Sequence, residues 1–126
     1  MHRRHLLTVT ALSEGGIAVL LLLMPRVPIW LLLGLDQPSP EALSVSRIAG
    51  AGLMAFSVAC WGGRDDHAAQ SSLLLGVLIY DLAATGILAH AGWFVGLAGI
   101  LLWPAVLLHA ALAVWCGFSL RQDDEG

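Results

Sequence analysis

The segment from Ser44 to Trp61 is apolar and long enough to approach the thickness of a lipid bilayer, and it contains one charged residue, Arg47. A charged group inside the hydrocarbon layer needs a polar partner in the protein. Small residues recur every four positions in this segment, a pattern that favours close contact between membrane helices. The segment therefore predicts the central helix of a membrane bundle, with Gly50 and Gly52 as helix-packing positions.

The whole chain has the composition of an integral membrane protein. Of its 126 residues, 58% are hydrophobic and 12% are charged, whereas a soluble domain carries roughly 25% charged residues. The mean hydropathy is +0.81. The net charge of -3 provides no basic surface for nucleic acid. The expected partners are the lipid bilayer and a second copy of the chain or a larger membrane complex.

Proline, glycine and charged residues divide the chain into four candidate spans. We predict an all-α, integral membrane four-helix bundle that forms a single transmembrane domain over residues 1–126, with helices at about 5–24, 40–62, 67–90 and 93–119 and a polar tail at 120–126. Residues 25–38 contain an apolar run that is too short to cross a bilayer. We expect a short interfacial segment there, and a re-entrant segment is the alternative.

Local signals set the ends of these helices. Ser39-Pro40-Glu41 is typical of a helix start, because serine can accept bonds from free backbone N–H groups and proline suits the first helical position. Asp66 is expected to cap the third helix. The connection to the fourth helix near Gly92 is predicted to be very short. In that helix, Gly96 is assigned to helix packing and Pro104 to a kink.

The placement of arginine predicts the orientation in the membrane. Four spans place both termini and the turn at 63–67 on one side, together with Arg3, Arg4, Arg64 and Arg121. The opposite side has Arg26, with Arg47 near it. Because arginine accumulates in cytoplasmic loops, we predict that both termini are cytoplasmic (N-in and C-in) and that the chain is a multi-pass protein of the cell inner membrane.

Four ionisable residues lie within the predicted spans, and we expect them to form the polar core of the bundle: Glu14, Arg47, Asp81 and His109. A charge at the centre of a membrane helix costs about 2.5 to 3.5 kcal/mol on insertion scales, so these side chains should face the interior and contact one another. In one interpretation, Arg47 pairs with either acid and locks the helices. In the other, a carboxylate and His109 form a proton-linked or ligand site.

The sequence contains no readable motif for metal binding or for nucleophilic catalysis. Glu-x-x-His, the pattern of di-iron bundles, is absent, and no Ser/His/Asp or Cys/His set stands at a recognisable spacing. We therefore expect no metal, no cofactor and no enzymatic activity.

Two stretches resemble a known group of proteins: RIAGAGLMAFSVACW (Arg47–Trp61) and ILLWPAVLLHAALAVW (Ile100–Trp115). They are similar to small, uncharacterised four-helix inner-membrane proteins of bacteria, in which an Arg-x-x-Gly start of helix two and a Leu-Trp-Pro-Ala…His run in helix four recur. The positions that carry the resemblance are Arg47, Gly50, Trp103, Pro104 and His109. The resemblance implies a four-span inner-membrane protein and brings no activity with it.

The chain also resembles the small multidrug transporters in length and in its number of helices. Those proteins work as dimers and have one essential carboxylate in the middle of helix one, a position that Glu14 matches. Their aromatic pattern in helix three is missing here, and Arg47 and Asp81 add charge to the interior. Our first functional hypothesis is a non-enzymatic accessory or structural membrane protein. The alternative is a proton-coupled small-solute or multidrug-type carrier that works as a homodimer.

Overall fold

The computed structural model describes residues 2–121, and the chain forms five helices there: α1 (His2–Leu23), α2 (Arg26–Leu33), α3 (Pro40–Gly63), α4 (His67–Trp93) and α5 (Leu102–Arg121). The described part of the chain contains no strand. All the helices except α2 are long and apolar enough to cross a membrane. The prediction of an all-helical chain with four candidate spans is thus confirmed. Most of the expected polar tail lies outside the described residues.

Side-chain caps begin two of the long helices where the sequence predicts them. Ser39 Oγ accepts a hydrogen bond from the backbone N–H of Ala42 at 3.2 Å, at the start of α3. Asp66 Oδ1 accepts one from the backbone N–H of Ala68 at 2.9 Å, at the start of α4. Each cap satisfies an N–H group that has no acceptor within its helix.

The four long helices pack as two pairs. α1 packs along α3 and α4 packs along α5, whereas contacts between the pairs are sparse. Ser57 Oγ of α3 donates a hydrogen bond of 2.5 Å to the backbone oxygen of Ala11 in α1. Gly50 is buried against α1, but Gly52 faces open space. Of the two glycines expected to pack helices in this segment, only Gly50 does so within the described structure.

Gly50→Ala is expected to lower the free energy of unfolding by about 1 to 3 kcal/mol, as overpacking does in other cores. The added Cβ would lie 2.8 Å from the Cβ of Leu21 and 3.1 Å from the backbone oxygen of Ala18. Gly52→Ala is the matched control, because a Cβ at that position has no neighbour within 4 Å. Thermal unfolding in detergent compares the two. Equal stability of both variants would contradict the close approach of α1 and α3.

Apolar packing between the pairs is concentrated at the end that carries the N-terminus. The buried residues of this core come from all four long helices: Leu6, Leu7, Ala11, Cys60, Leu74, Val77 and Cys116. Arg3 ties the same end together, because its two terminal nitrogens donate to Ser71 Oγ and to the backbone oxygen of Ser119, both at 3.0 Å. This half of the molecule is therefore held by side-chain packing.

The other half is closed by α2 and by the connection between α4 and α5. The prediction of a very short link is wrong, because α4 continues to Trp93 and α5 begins only at Leu102. Gly96 lies in this irregular connection with φ of +76°, a backbone conformation that suits glycine, and it packs no helices. The backbone N–H of Leu101 donates to the oxygen of Leu31 at 2.8 Å, which joins the connection to α2.

Pro104 does not kink a helix, so that prediction is also wrong. It is the third residue of α5, and the first backbone N–H groups of a helix have no acceptor within the helix. The ring therefore removes no hydrogen bond from α5. The connection before α5 passes close to α2 at Gly99, where a side chain would collide with the backbone of Leu31 and Leu32.

Candidate functional site: a polar cluster at the end of an apolar cavity

Three of the four ionisable residues predicted for the polar core come together between the helix pairs. Glu14 lies on α1, Asp81 on α4 and His109 on α5, and one potential ligand atom of each lies within 4.8 Å of the others. Glu14 is 3% exposed and Asp81 is completely buried, while the side chain of His109 is 12% exposed. The long sequence separations hide this cluster, since each member stands on a different helix.

Hydrogen bonds join these side chains and bring in Tyr80. His109 Nδ1 lies 2.8 Å from Asp81 Oδ1, and when Asp81 is ionised the imidazole is the donor. The hydroxyl of Tyr80 donates to Glu14 Oε2 at 2.9 Å. The ring of Tyr80 meets the His109 ring edge-on, with centroids 5.5 Å apart. We refer to Glu14, Tyr80, Asp81 and His109 as the polar cluster. Tyr80 was not among the residues predicted for the polar core.

One oxygen of the polar cluster has no partner. Asp81 Oδ2 is fully buried and receives no hydrogen bond from any described residue. A buried polar atom without a partner costs roughly 1 to 3 kcal/mol, and in native proteins such an atom often marks a bound water or ion. The structure thus has an acceptor in place for a proton or a cation.

Arg47 does not belong to the polar cluster, so the predicted pairing of this arginine with a carboxylate is wrong. Its side chain is exposed, and its Nε lies 3.4 Å from the backbone oxygen of Leu22. Leu22 stands in the last turn of α1, where carbonyl groups lack donors within the helix and a positive charge is favourable. Arg47 therefore provides a donor for a backbone carbonyl at the end of α1. Its long side chain reaches this position without entering the core.

An apolar cavity of about 490 Å³ extends from the polar cluster between the two helix pairs. Glu14, Tyr80 and His109 line one end of it. The walls are formed by apolar side chains of the long helices, and the far end by α2, by the connection before α5 and by the start of α5: Ile17, Leu21, Leu53, Ala84, Ile87, Leu88 and Leu108, with Leu32, Leu101, Pro104 and Ala105. This volume lies in the range of about 300 to 1,000 Å³ that is typical of small-molecule sites.

The charges of the polar cluster do not balance. It contains two carboxyl groups and one imidazole, so with both acids ionised a protonated His109 neutralises only one of them. The cavity lining contains no lysine or arginine. Because an isolated charge is costly away from water, this arrangement favours either a retained proton or a bound cation. Its donor set, two carboxylates and an imidazole, can also hold a metal ion.

No protein-family model, curated protein or solved structure matches this chain. The resemblance to four-helix inner-membrane proteins stays a prediction.

Proposed function

We propose that the protein is a small membrane carrier that binds a lipophilic cation in the apolar cavity. The observation that carries this proposal is the position of the polar cluster, with its two acids and one imidazole, at the end of that cavity. An apolar body gains free energy from the cavity walls, at roughly 25 cal/mol per Å² of surface removed from water. A positive head group gains it from the uncompensated carboxylate.

Glu14 is the residue that receives the head group. Tyr80 holds one of its carboxylate oxygens at 2.9 Å, and Oε1 accepts no bond from a described residue. Glu14 lines the cavity, whereas Asp81 stands behind His109 and does not. In this arrangement Tyr80 orients the carboxylate, and Asp81 holds the imidazole beside it. Proton coupling, which belonged to the alternative hypothesis from the sequence, stays a prediction.

The carrier hypothesis includes a location and an assembly. We place both termini in the cytoplasm and the protein in the inner membrane of a bacterium. The ion pair of 2.7 Å between Arg4 and Asp65 supports a shared side for the N-terminus and the α3–α4 turn. For a homodimer, support comes from the stripe of exposed small residues on α3, a pattern that favours close helix contacts: Ala51, Ala55 and Ala59.

The accessory role that ranked first from the sequence becomes the second candidate. It assigns no task to the cavity, whereas a carrier uses both the cavity and the polar cluster. The sparse contacts between the helix pairs also suit a carrier, because two units with few mutual contacts can move relative to each other.

The test is the binding of tetraphenylphosphonium to the detergent-purified protein, measured by isothermal titration calorimetry. We expect saturable binding to the full chain and a loss of affinity of at least about tenfold, or 1.4 kcal/mol, in Glu14→Gln. Glu41→Gln is the matched control, because Glu41 is an exposed acid in the first turn of α3. The control should bind like the unmodified protein. Equal binding by both variants, or no saturable binding by the unmodified protein, would refute the proposal.

A further inference from the structure

We infer that Glu14, Asp81 and His109 also form a binding site for one divalent transition-metal ion. This inference concerns the same polar cluster as the proposed carrier function, but it rests on the donor atoms and not on the cavity. Each residue offers one oxygen or nitrogen ligand, and the three ligand atoms lie within 4.8 Å of one another.

The distances are compatible with a metal ion after small side-chain rotations. Metal–nitrogen and metal–oxygen bonds of about 2.0 to 2.2 Å place the ligand atoms of one ion roughly 3 to 3.5 Å apart. His109 Nδ1 and Asp81 Oδ1 are already close enough, and ligand atoms as far apart as 4.8 Å have to approach by about 1.3 to 1.8 Å. They stand on α1, α4 and α5, so each can turn about its own side-chain bonds without a change in the backbone of another ligand.

The unpartnered oxygen of Asp81 is a second observation that points to a ligand. Oδ2 is fully buried and accepts no hydrogen bond among residues 2–121. In the metal-bound state, the ion replaces the proton between His109 Nδ1 and Asp81 Oδ1, which now lie 2.8 Å apart. That proton is released to water if His109 starts as imidazolium, and it moves to Nε2 of the same ring if His109 starts neutral. A carboxylate can bind an ion through both oxygens, which gives Oδ2 a partner.

The chemistry of the donors selects the class of metal. Mg²⁺ and Ca²⁺ are bound mainly by oxygen atoms, whereas an imidazole with carboxylates suits ions of the series from Mn²⁺ to Zn²⁺. Two carboxylates and a neutral imidazole also neutralise a charge of +2. Tyr80 is not a ligand itself but bonds to one of the ligand residues. Its hydroxyl donates to Glu14 Oε2 at 2.9 Å and so orients the carboxylate, as outer partners of metal ligands do.

The experiment loads the full chain, purified in detergent with an affinity tag free of histidine, with Mn²⁺ or Co²⁺. After removal of loosely bound metal, elemental analysis is expected to give one ion per chain. Pulsed electron paramagnetic resonance of the Mn²⁺ form should show coupling to an imidazole nitrogen. His109→Gln should abolish that coupling, and Asp81→Asn should weaken binding at least about tenfold.

Three variants distinguish this site from metal binding elsewhere on the chain. His2→Gln/His5→Gln removes the exposed histidines at the N-terminus, and Asp36→Asn removes an exposed acid; both should retain the ion and its nitrogen coupling. Tyr80→Phe should keep the coupling but bind about 10 to 100 times more weakly, the usual effect of losing an outer partner. Tyr80→Phe leaves all three ligands in place, so it still tests the metal site if a variant of a ligand residue fails to fold.

The inference is overturned if no stoichiometric ion remains, if His109→Gln leaves the nitrogen coupling intact, or if the N-terminal double variant removes it. The two proposals fail separately. Metal binding without saturable tetraphenylphosphonium binding would remove the carrier function and leave the metal site, whereas the reverse result would remove only the metal site.

Discussion

His109→Leu is expected to lower the free energy of unfolding by about 3 to 5 kcal/mol, the usual effect of removing one member of a buried ion pair. The imidazole is the only described side chain bonded to the Asp81 carboxylate, with a distance of 2.8 Å from Nδ1 to Oδ1. Asp81 is completely buried. Without His109, neither of its oxygens has a donor, and the cost of the buried acid is uncompensated. Chemical unfolding in detergent at neutral pH measures the change.

The double variant Asp81→Leu/His109→Leu should recover most of that loss. Replacing both members of a buried polar pair by apolar residues is often neutral or stabilising, and the two polar side chains of the cluster that remain, Glu14 and Tyr80, are bonded to each other. His67→Leu is the control for a histidine in an exposed position, and it should change stability by no more than about 0.5 kcal/mol. If the double variant is as unstable as His109→Leu, the Asp81–His109 contact does not account for the effect.

The sequence predicted the features of this fold that depend on one segment at a time. Length and apolar composition predicted the four long helices, and short-range hydrogen bonding predicted the caps at Ser39 and Asp66. Such signals depend only on residues that are close in the chain. They carry no information on which helices pair, or on where the space between them remains open.

Arg47 and Pro104 show where this local reasoning fails. A single arginine in an apolar run needs a polar partner in the protein. The partner of Arg47 is a backbone carbonyl at the end of α1, 25 positions away in the sequence. Pro104 predicted a kink because the helix was assumed to begin earlier. In the structure α5 begins at Leu102, just after Gly99 and Leu101 contact α2, and no local pattern of residues 93–104 indicates those contacts.

Three residues of the candidate site were predictable from the sequence, but their geometry was not. The cost of a charge within a membrane span put Glu14, Asp81 and His109 in the interior. Their meeting point depends on the two helix pairs, and so does the cavity beside them. A metal motif could not be found by spacing, because the three ligands stand on three different helices and the closest two are 28 positions apart.

Filling the cavity should weaken the binding of the lipophilic cation while leaving the polar cluster intact. Ala84 lines the cavity at the level just beyond Tyr80, so Ala84→Phe is expected to lower the affinity for tetraphenylphosphonium by at least about tenfold. The phenyl ring would occupy the volume that the ligand needs. Ala83→Phe is the matched control, since this neighbour on the same helix is exposed and does not line the cavity. Calorimetric titration of both variants makes the comparison.

This pair of variants also distinguishes binding in the cavity from metal binding at the polar cluster. Ala84 contributes no ligand atom, so the Ala84→Phe protein should still hold one Mn²⁺ per chain with its nitrogen coupling, even though the lipophilic cation no longer binds. If Ala83→Phe weakens binding as much as Ala84→Phe, the cation binds to the outer surface of α4. If neither change matters, the ligand does not enter the cavity, and the polar cluster has a role that does not involve it. A loss confined to Ala84→Phe leaves the cavity as the binding site, because the two substitutions add the same side chain one position apart.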